Sequence, residues 1–391
     1  MDRRTFLQSS LSAVGLNALG IGATSVAFAA APQGANYRNL LVLIELKGGN
    51  DGLNTVVPYA DPTYYALRPK IAIARDDVLQ LSDRAGLHPA LAPLLPLWKN
   101  RELAVLQGVG YPGPNLSHFR SIEIWDTASG SDAYLTDGWL TRAFTASPAP
   151  RAFAADGVII GSYDMGPLAG DGIRAVALSN TEAFLRQARL AGAAGEARNK
   201  AYRHILRVEA DIVQAATNLD ARHEFTTEFP QGGFGNAIKT ACQIVANPSG
   251  VTVVRLTLSG FDTHGAQSAT QARLLGELAR GIVALKGALT ELRRWDDALI
   301  LTYAEFGRRP RENLSAGTDH GTANVHFALG GRVAGGFYGE APVLDRLSGD
   351  GNPDYAVDFR AIYATVLERW WGLPSRPTLS ERFAPVPFVK T

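Results

Sequence analysis

The sequence is nearly without cysteine, Cys242 standing alone among 391 residues. That excludes an internal disulfide, a CxxC redox pair and any cysteine-rich zinc site, so metal ligation would fall to His, Asp and Glu. Excess charge of either sign is also missing, 38 basic against 37 acidic side chains giving a formal +1. With no Lys/Arg-rich run, the electrostatic footprint of a nucleic-acid binder is absent, and no nucleic-acid partner is expected. Internal repeats and low-complexity tracts are lacking beyond the N-terminal stretch. What remains, 46% hydrophobic and 19% charged, is a globular composition able to bury a sizeable core.

The N-terminus reads Asp2-Arg3-Arg4-Thr5-Phe6-Leu7-Gln8, followed by an uncharged Ala-, Gly- and Ser-rich stretch from Ser9 to Ala30. Paired arginines before a weakly apolar segment, with Ala27-Phe28-Ala29 as a small-x-small cleavage pattern, form a twin-arginine export signal. Leu and Ile are too sparse there for a stable membrane anchor. The expectation is a signal over 1–30, a single domain with insertions over 31–391, the twin-arginine translocase as partner and a periplasmic or secreted destination. Loss of one acidic and two basic side chains with the signal takes the charge from +1 to 0.

Strand-length apolar runs recur at Leu40 to Leu46, Leu103 to Leu106, Val158 to Ile160, Val251 to Leu258 and Ala298 to Tyr303. Between them lie segments of helical period, Glu182 to Ala216 and Thr270 to Leu292, the latter with Leu274, Leu275, Leu278, Ile282, Leu285 and Leu289 on one face. Near-continuous apolar strands separated by helices imply an α/β fold with a mainly parallel central sheet, covered by helices on both faces.

Three strand runs end in Gly-rich loops carrying ionisable groups: Lys47-Gly48-Gly49-Asn50-Asp51-Gly52, Ser259-Gly260-Phe261-Asp262-Thr263-His264 and Ala304-Glu305-Phe306-Gly307-Arg308. Sites in open α/β sheets lie outside the carboxyl ends of strands, so Asp51, Asp262, His264 and Glu305 are expected to converge. Asp319-His320, in a further Gly-flanked loop, and nearby His326 add metal-capable groups. Each alone has a structural explanation: Asp51 as a turn or cap, Asp262-x-His264 as a hydrogen-bonded pair, Asp319-His320 as a polar loop. Their combination favours a divalent metal.

Ser117, in Pro114-Asn115-Leu116-Ser117-His118-Phe119-Arg120, reads either as N-cap of a helix from His118 to Trp125 or as a metal-activated nucleophile. A serine hydrolase without metal is disfavoured, since no G-x-S-x-G surrounds Ser117 and His118 is its immediate neighbour.

The segments Leu46-Lys47-Gly48-Gly49-Asn50-Asp51-Gly52-Leu53-Asn54, Ser117-His118-Phe119, Gly138-Trp139-Leu140, Gly260-Phe261-Asp262-Thr263-His264, Glu305-Phe306-Gly307-Arg308 and Asp319-His320-Gly321 resemble the exported bacterial family catalogued as domain of unknown function 1501. That family is similar to a distant branch of the alkaline phosphatase superfamily, which includes sulfatase-like enzymes. The resemblance implies an alkaline phosphatase-like fold and a two-metal site, with Asp51, Ser117, Asp319 and His320 around one ion and Asp262, His264 and His326 around the other. The spacing departs from that pattern: Asp262 and His264 are two apart where the superfamily has D-x-x-x-H, and His326 follows Asp319-His320 closely. Formylglycine chemistry is disfavoured, because no proline stands two residues after Ser117.

The resulting expectation is a metal-dependent hydrolase of phosphate or sulfate esters, holding zinc, manganese, calcium or magnesium. Ser117 would attack a small anionic ester, with Arg120 or Arg308 clamping its anionic group. The competing expectation is an exported binding or assembly protein that keeps the fold without turnover.

Overall fold

The computed structural model describes residues 34–178, 223–248 and 250–390. The export signal over 1–30 and the helical segment Glu182 to Ala216 fall outside the described residues. From Ala35 onward the chain clusters as one compact unit.

Among the described residues nine strands build the main sheet: β1 (Leu40–Lys47), β2 (Leu103–Gly110), β3 (Ala155–Ile160), β4 (Ala175–Leu178), β5 (Val251–Ser259), β6 (Ala298–Tyr303), β7 (Asn324–Leu329), β8 (Gly336–Tyr338) and β9 (Val357–Asp358). Their order is β8-β2-β7-β6-β1-β5-β3-β4, with β9 also paired to β2. β1 lies parallel between β5 and β6, and β3 lies parallel between β5 and β4. Only β7 runs antiparallel, against β2 and β6. The five apolar runs read from the sequence are all strands, and the mainly parallel α/β architecture is the observed one.

Alternation along β1 shows why these strands carry so few polar residues. Leu40, Val42, Ile44 and Leu46 enter a core with α3 (Gly233–Val245) and α4 (Gln267–Glu291) on one face. Leu41 and Leu43 enter the opposite core with α1 (His118–Thr127), α2 (Trp139–Ala146) and α5 (Phe359–Thr365). Both faces are covered, so both sets are buried, each large aliphatic side chain contributing about 1.5–3 kcal/mol. Glu45, next on the second face, is also buried. Its carboxylate accepts from Arg255 Nη2 and Thr257 Oγ1, both at 2.9 Å, while Arg255 Nε donates to Tyr303 Oη at 2.9 Å.

The long helix α4 starts at Gln267, three residues before the periodic pattern indicates. Its start buries two polar side chains, Gln267 and Gln271, which face the loop after β1. Apolar periodicity therefore missed that turn, although Leu274, Leu275, Leu278, Ile282, Leu285 and Leu289 are all buried as their spacing requires.

Candidate active site at the carboxyl edge of the sheet

Because β6, β1 and β5 are adjacent and parallel, their following loops emerge on the same edge. Close approach between these loops demands glycine. Gly48 has φ +115°, and a Cβ there would stand 2.4 Å from Asp262 N; Gly49 has φ +78°, and a Cβ would stand 2.4 Å from the Phe306 ring. Gly48 N–H donates to both Glu305 carboxylate oxygens, at 3.0 and 3.2 Å, joining the loops after β1 and β6.

The fourth contribution comes from α1, whose first residue is His118. His118 Nδ1 lies 2.8 Å from Glu305 Oε1, and its Nε2 lies 3.4 Å from Asp262 Oδ2. His320 arrives on a two-residue ladder in which Gly307–Arg308 pairs antiparallel with His320–Gly321. Its Nδ1 is 2.8 Å from Leu116 O, and its Nε2 is 3.3 Å from Asp262 Oδ1. Each imidazole thus has an acceptor at Nδ1 and presents Nε2 inward, the tautomer that acceptors behind a ligating histidine impose. Ligand atoms of His118, Asp262 and His320 lie within 4.8 Å of one another.

His264 borders this group. Its Nε2 is 3.0 Å from both Asp262 Oδ1 and His320 Nε2, while its Nδ1 is 3.4 Å from Asp319 Oδ1. Asp319 also accepts from Asn313 Nδ2 at 3.1 Å. Two imidazole Nε2 atoms facing one another beside a carboxylate form a donor set that a cation completes, and an N,N,O set with further polar neighbours suits zinc or another borderline divalent ion.

Electrostatics agree with that chemistry. Burial raises the Asp262 carboxyl, but the Arg308 hydrogen bond and charge, aided by His264 and His118, outweigh it and hold the group below the usual carboxylate range. The Asn313 hydrogen bond likewise keeps Asp319 low. Burial holds His320 below the ordinary imidazole value despite the Leu116 carbonyl, favouring the neutral, ligating form.

Four other expected residues serve neither as ligands nor as anion clamps there. Asp51 is fully buried and bound by Arg68, whose Nη1 donates to Oδ2 at 2.6 Å and whose Nη2 donates to Oδ1 at 3.0 Å. It also accepts from Gln267 Nε2 at 2.5 Å and from Leu53 N at 3.2 Å, capping the turn Gly52–Asn54. Its oxygens are consumed by a structural pair, which corrects the expectation of a metal ligand. His326 sits inside β7, buried, with its ring 5.3 Å from Trp125 and no hydrogen-bond partner at either nitrogen. Strand β7 carries it into the sheet interior, so the second-ion assignment does not hold.

The two arginines are also committed. Arg308 is fully buried, donating to Gly49 O at 2.7 Å, Thr318 O at 2.9 Å, Phe261 O at 3.1 Å, Asp262 Oδ1 at 2.6 Å and Gly48 O. It fastens the site loops and has no face left for a substrate anion. Arg120 donates to Ala133 O at 2.6 Å and Ser131 O at 3.1 Å, and its guanidinium lies 3.8 Å from the centroid of the Tyr134 ring. It tethers a loop in place of clamping substrate.

Ser117 occupies the N-cap position of α1 but makes no side-chain cap hydrogen bond. The residue is exposed and precedes His118 in the chain. Sequence reasoning undervalued His118, discounted as base because it adjoins Ser117, although the Ser-His pair at a helix start signals a loop-borne imidazole. Arg68 carried no signal at all, since its partner is 17 residues away across an excursion of the chain.

A parallel-sheet α/β protein with a carboxylate and imidazoles gathered at the carboxyl edge is thereby defined. The chain belongs to the family described as protein of unknown function, DUF1501, whose model matches residues 38–377. No curated protein matches the sequence. Among solved structures, the chain is similar to the C-terminal periplasmic domain of EcEptC from Escherichia coli in complex with Zn, at 10% identity and TM-score 0.37, covering 75% of this chain and 72% of that one. It is also similar to a variant of TAB5 alkaline phosphatase with Mg bound, at 12% identity and TM-score 0.33, covering 78% and 95%. A third is phosphonate monoester hydrolase of Agrobacterium radiobacter, at 8% identity and TM-score 0.34, covering 74% and 68%. Among the described residues no helix is long and apolar enough to cross a membrane.

Proposed function

We propose that this protein is an exported, metal-dependent hydrolase of phosphate or sulfate esters, carried across the membrane by the twin-arginine translocase through Arg3 and Arg4. The observation that carries the reading is the convergence of His118, Asp262 and His320, with Glu305 and the Leu116 carbonyl behind the two imidazoles. His264 and Asp319 extend the donor set on one side. A divalent ion held there would supply positive charge to the ester oxygens and lower the cost of ionising a hydroxyl.

The chain's own groups supply the rest. Ser117, at the start of α1 with its hydroxyl uncommitted to capping, is the proposed nucleophile. Glu305, fixed by Gly48 N–H, orients His118. Arg308 holds the three loops in register and keeps Asp262 ionised. The test is to strip the purified protein with chelator, restore zinc, manganese, magnesium or calcium singly, and follow bound metal, melting temperature and hydrolysis of aryl phosphate and aryl sulfate. Metal-restored turnover, lost in Ser117→Ala with metal still bound, is expected. Absence of metal binding would overturn the reading.

A second reading is favoured by the sealed Asp51–Arg68 pair, which removes one carboxylate from the set that the resemblance implies. On this reading the protein is an exported binding or assembly protein that retains metal without turnover. Metal binding of equal strength with no hydrolysis of either ester class would select it.

A further inference from the structure

We propose that Gln267 is the positioning residue of the metal centre: its side-chain amide fixes, relative to one another, the two loops that carry Asp262 and His264 and that carry Asp319 and His320. The inference rests on the metal-binding part of the ester-hydrolase reading and adds what sets the spacing of the ligating groups.

Three hydrogen bonds carry it. Gln267 Nε2 donates to Asp51 Oδ2 at 2.5 Å, while Oε1 accepts from Thr263 Oγ1 at 3.0 Å and from Thr318 Oγ1 at 2.7 Å. Thr263 stands between Asp262 and His264, and Thr318 directly precedes Asp319 and His320. One carbonyl oxygen therefore holds both loops. Their backbones also meet: Thr318 N–H donates to Thr263 O at 3.1 Å, and a Cβ on Gly317 would stand 2.3 Å from the His264 carbonyl carbon. The amide can face only one way, because the Asp51 carboxylate against Arg68 presents acceptors and takes the NH2 end, leaving the oxygen to the threonines. Asp51 supplies an acceptor here, which an asparagine oxygen would also offer.

Burial and rigidity give the hold its effect. Gln267, Thr263 and Thr318 are all buried, so water does not replace a bond that is lost. Gln267 opens α4, a helix of 25 residues whose apolar face lies in the core. The side chains of Asp262, His264 and Asp319, in contrast, are about half-exposed and gain little location from packing. Fixing their backbones to a rigid helix places them instead, and this accounts for a polar residue at a fully buried helix position.

The test follows metal binding by the full-length protein. Zinc dissociation constants come from competition with a chromophoric chelator, and cobalt(II) in place of zinc reports ligand geometry through its visible absorption. Gln267→Met keeps the side-chain length and removes the amide; it should weaken zinc binding about 10- to 100-fold, the range for groups lost behind metal ligands, and shift the cobalt spectrum. Thr318→Val should move both readouts the same way, and Thr318→Ser, which restores the hydroxyl, should return them to wild type. Combining Gln267→Met with Thr318→Val should weaken zinc binding by less than the product of the single effects, because both break the same bond. Thr365→Val, on α5, removes a buried hydroxyl bonded to Ala361 and Val386; it should lower the melting temperature and leave zinc affinity and the cobalt spectrum unchanged. Wild-type zinc affinity and cobalt spectrum in Gln267→Met and Thr318→Val, or an equal loss of affinity in Thr365→Val, would overturn the positioning role and leave the metal reading standing. If Gln267→Met does not fold, the Thr318→Val and Thr318→Ser pair decides. Failure of the wild type to bind either metal would overturn both.

Discussion

Asp51 and Asp262 stand in equivalent places, each in a Gly-rich loop following a strand of the parallel sheet, on the neighbouring strands β1 and β5. Their fates are opposite. Asp51 is fully buried with both oxygens held by Arg68 and Gln267, whereas Asp262 is half-exposed and faces three imidazoles. The residue type and the topological position are the same, so neither decides the role. How completely the carboxylate is engaged decides it: Arg68 and Gln267 occupy both oxygens of Asp51 in a sealed site, while buried Arg308 takes only Oδ1 of Asp262 and leaves Oδ2 toward His118 at the open edge.

Removing the Arg68 partner should have the largest effect. Arg68→Ala leaves the enclosed Asp51 carboxylate without its guanidinium partner, and a loss of about 3–5 kcal/mol is expected. Urea unfolding measures it, and adding Asp51→Asn to the variant should recover part of the loss. Full stability in Arg68→Ala would erase the distinction between the two carboxylates.

At Asp262 the expected change depends on metal. Zinc at about 100 times its dissociation constant should stabilise the wild type by about 2.7 kcal/mol, and Asp262→Asn should abolish that gain. Asp51→Asn should retain it, since Asp51 lies outside the cluster. Melting curves with and without zinc compare the two directly. Equal loss of the zinc response in both variants would place Asp51 back among the ligands.

A third carboxyl-edge expectation, His326, sharpens the contrast through pH. Burial holds its imidazole down to about 3, and His88, whose Nδ1 accepts from Ala90 N, down to about 4. The unfolded chain takes up protons below about pH 6.5 while these folded imidazoles stay neutral, so stability is full above that pH and falls on acidification. Each group should cost about 2 kcal/mol between pH 6.5 and pH 5. His326→Phe should remove one proton from the slope of unfolding free energy against pH. An unchanged slope would show that His326 is not enclosed.

The smallest effect is expected at Ser117. With no cap hydrogen bond to lose, Ser117→Ala should change stability by less than about 0.5 kcal/mol, the lower end for a lost cap. A loss above 1 kcal/mol would restore the capping role.

Much of this arrangement was legible in the sequence. Apolar runs marked β1, β2, β3, β5 and β6, because strands covered on both faces cannot carry alternating polar residues. Strand β7 was not legible: Asn324 and His326 interrupt its apolar character, and its antiparallel insertion between β2 and β6 arises from long-range pairing. The Gly-rich loops after β1, β5 and β6 identified the carboxyl edge, since Gly48 and Gly49 mark backbones that must approach closely.

The sequence by itself therefore determined the strand runs, the parallel α/β class and the edge at which polar loops gather. Tertiary structure alone decided which groups there are spent on holding the fold. Arg68 reaches Asp51, Arg308 spans the loop carbonyls, and β7 draws His326 inside, leaving His118, Asp262 and His320 facing one another. The physical reason is that ligand capacity belongs to unshared lone pairs, and whether a lone pair is shared depends on partners distant in the chain.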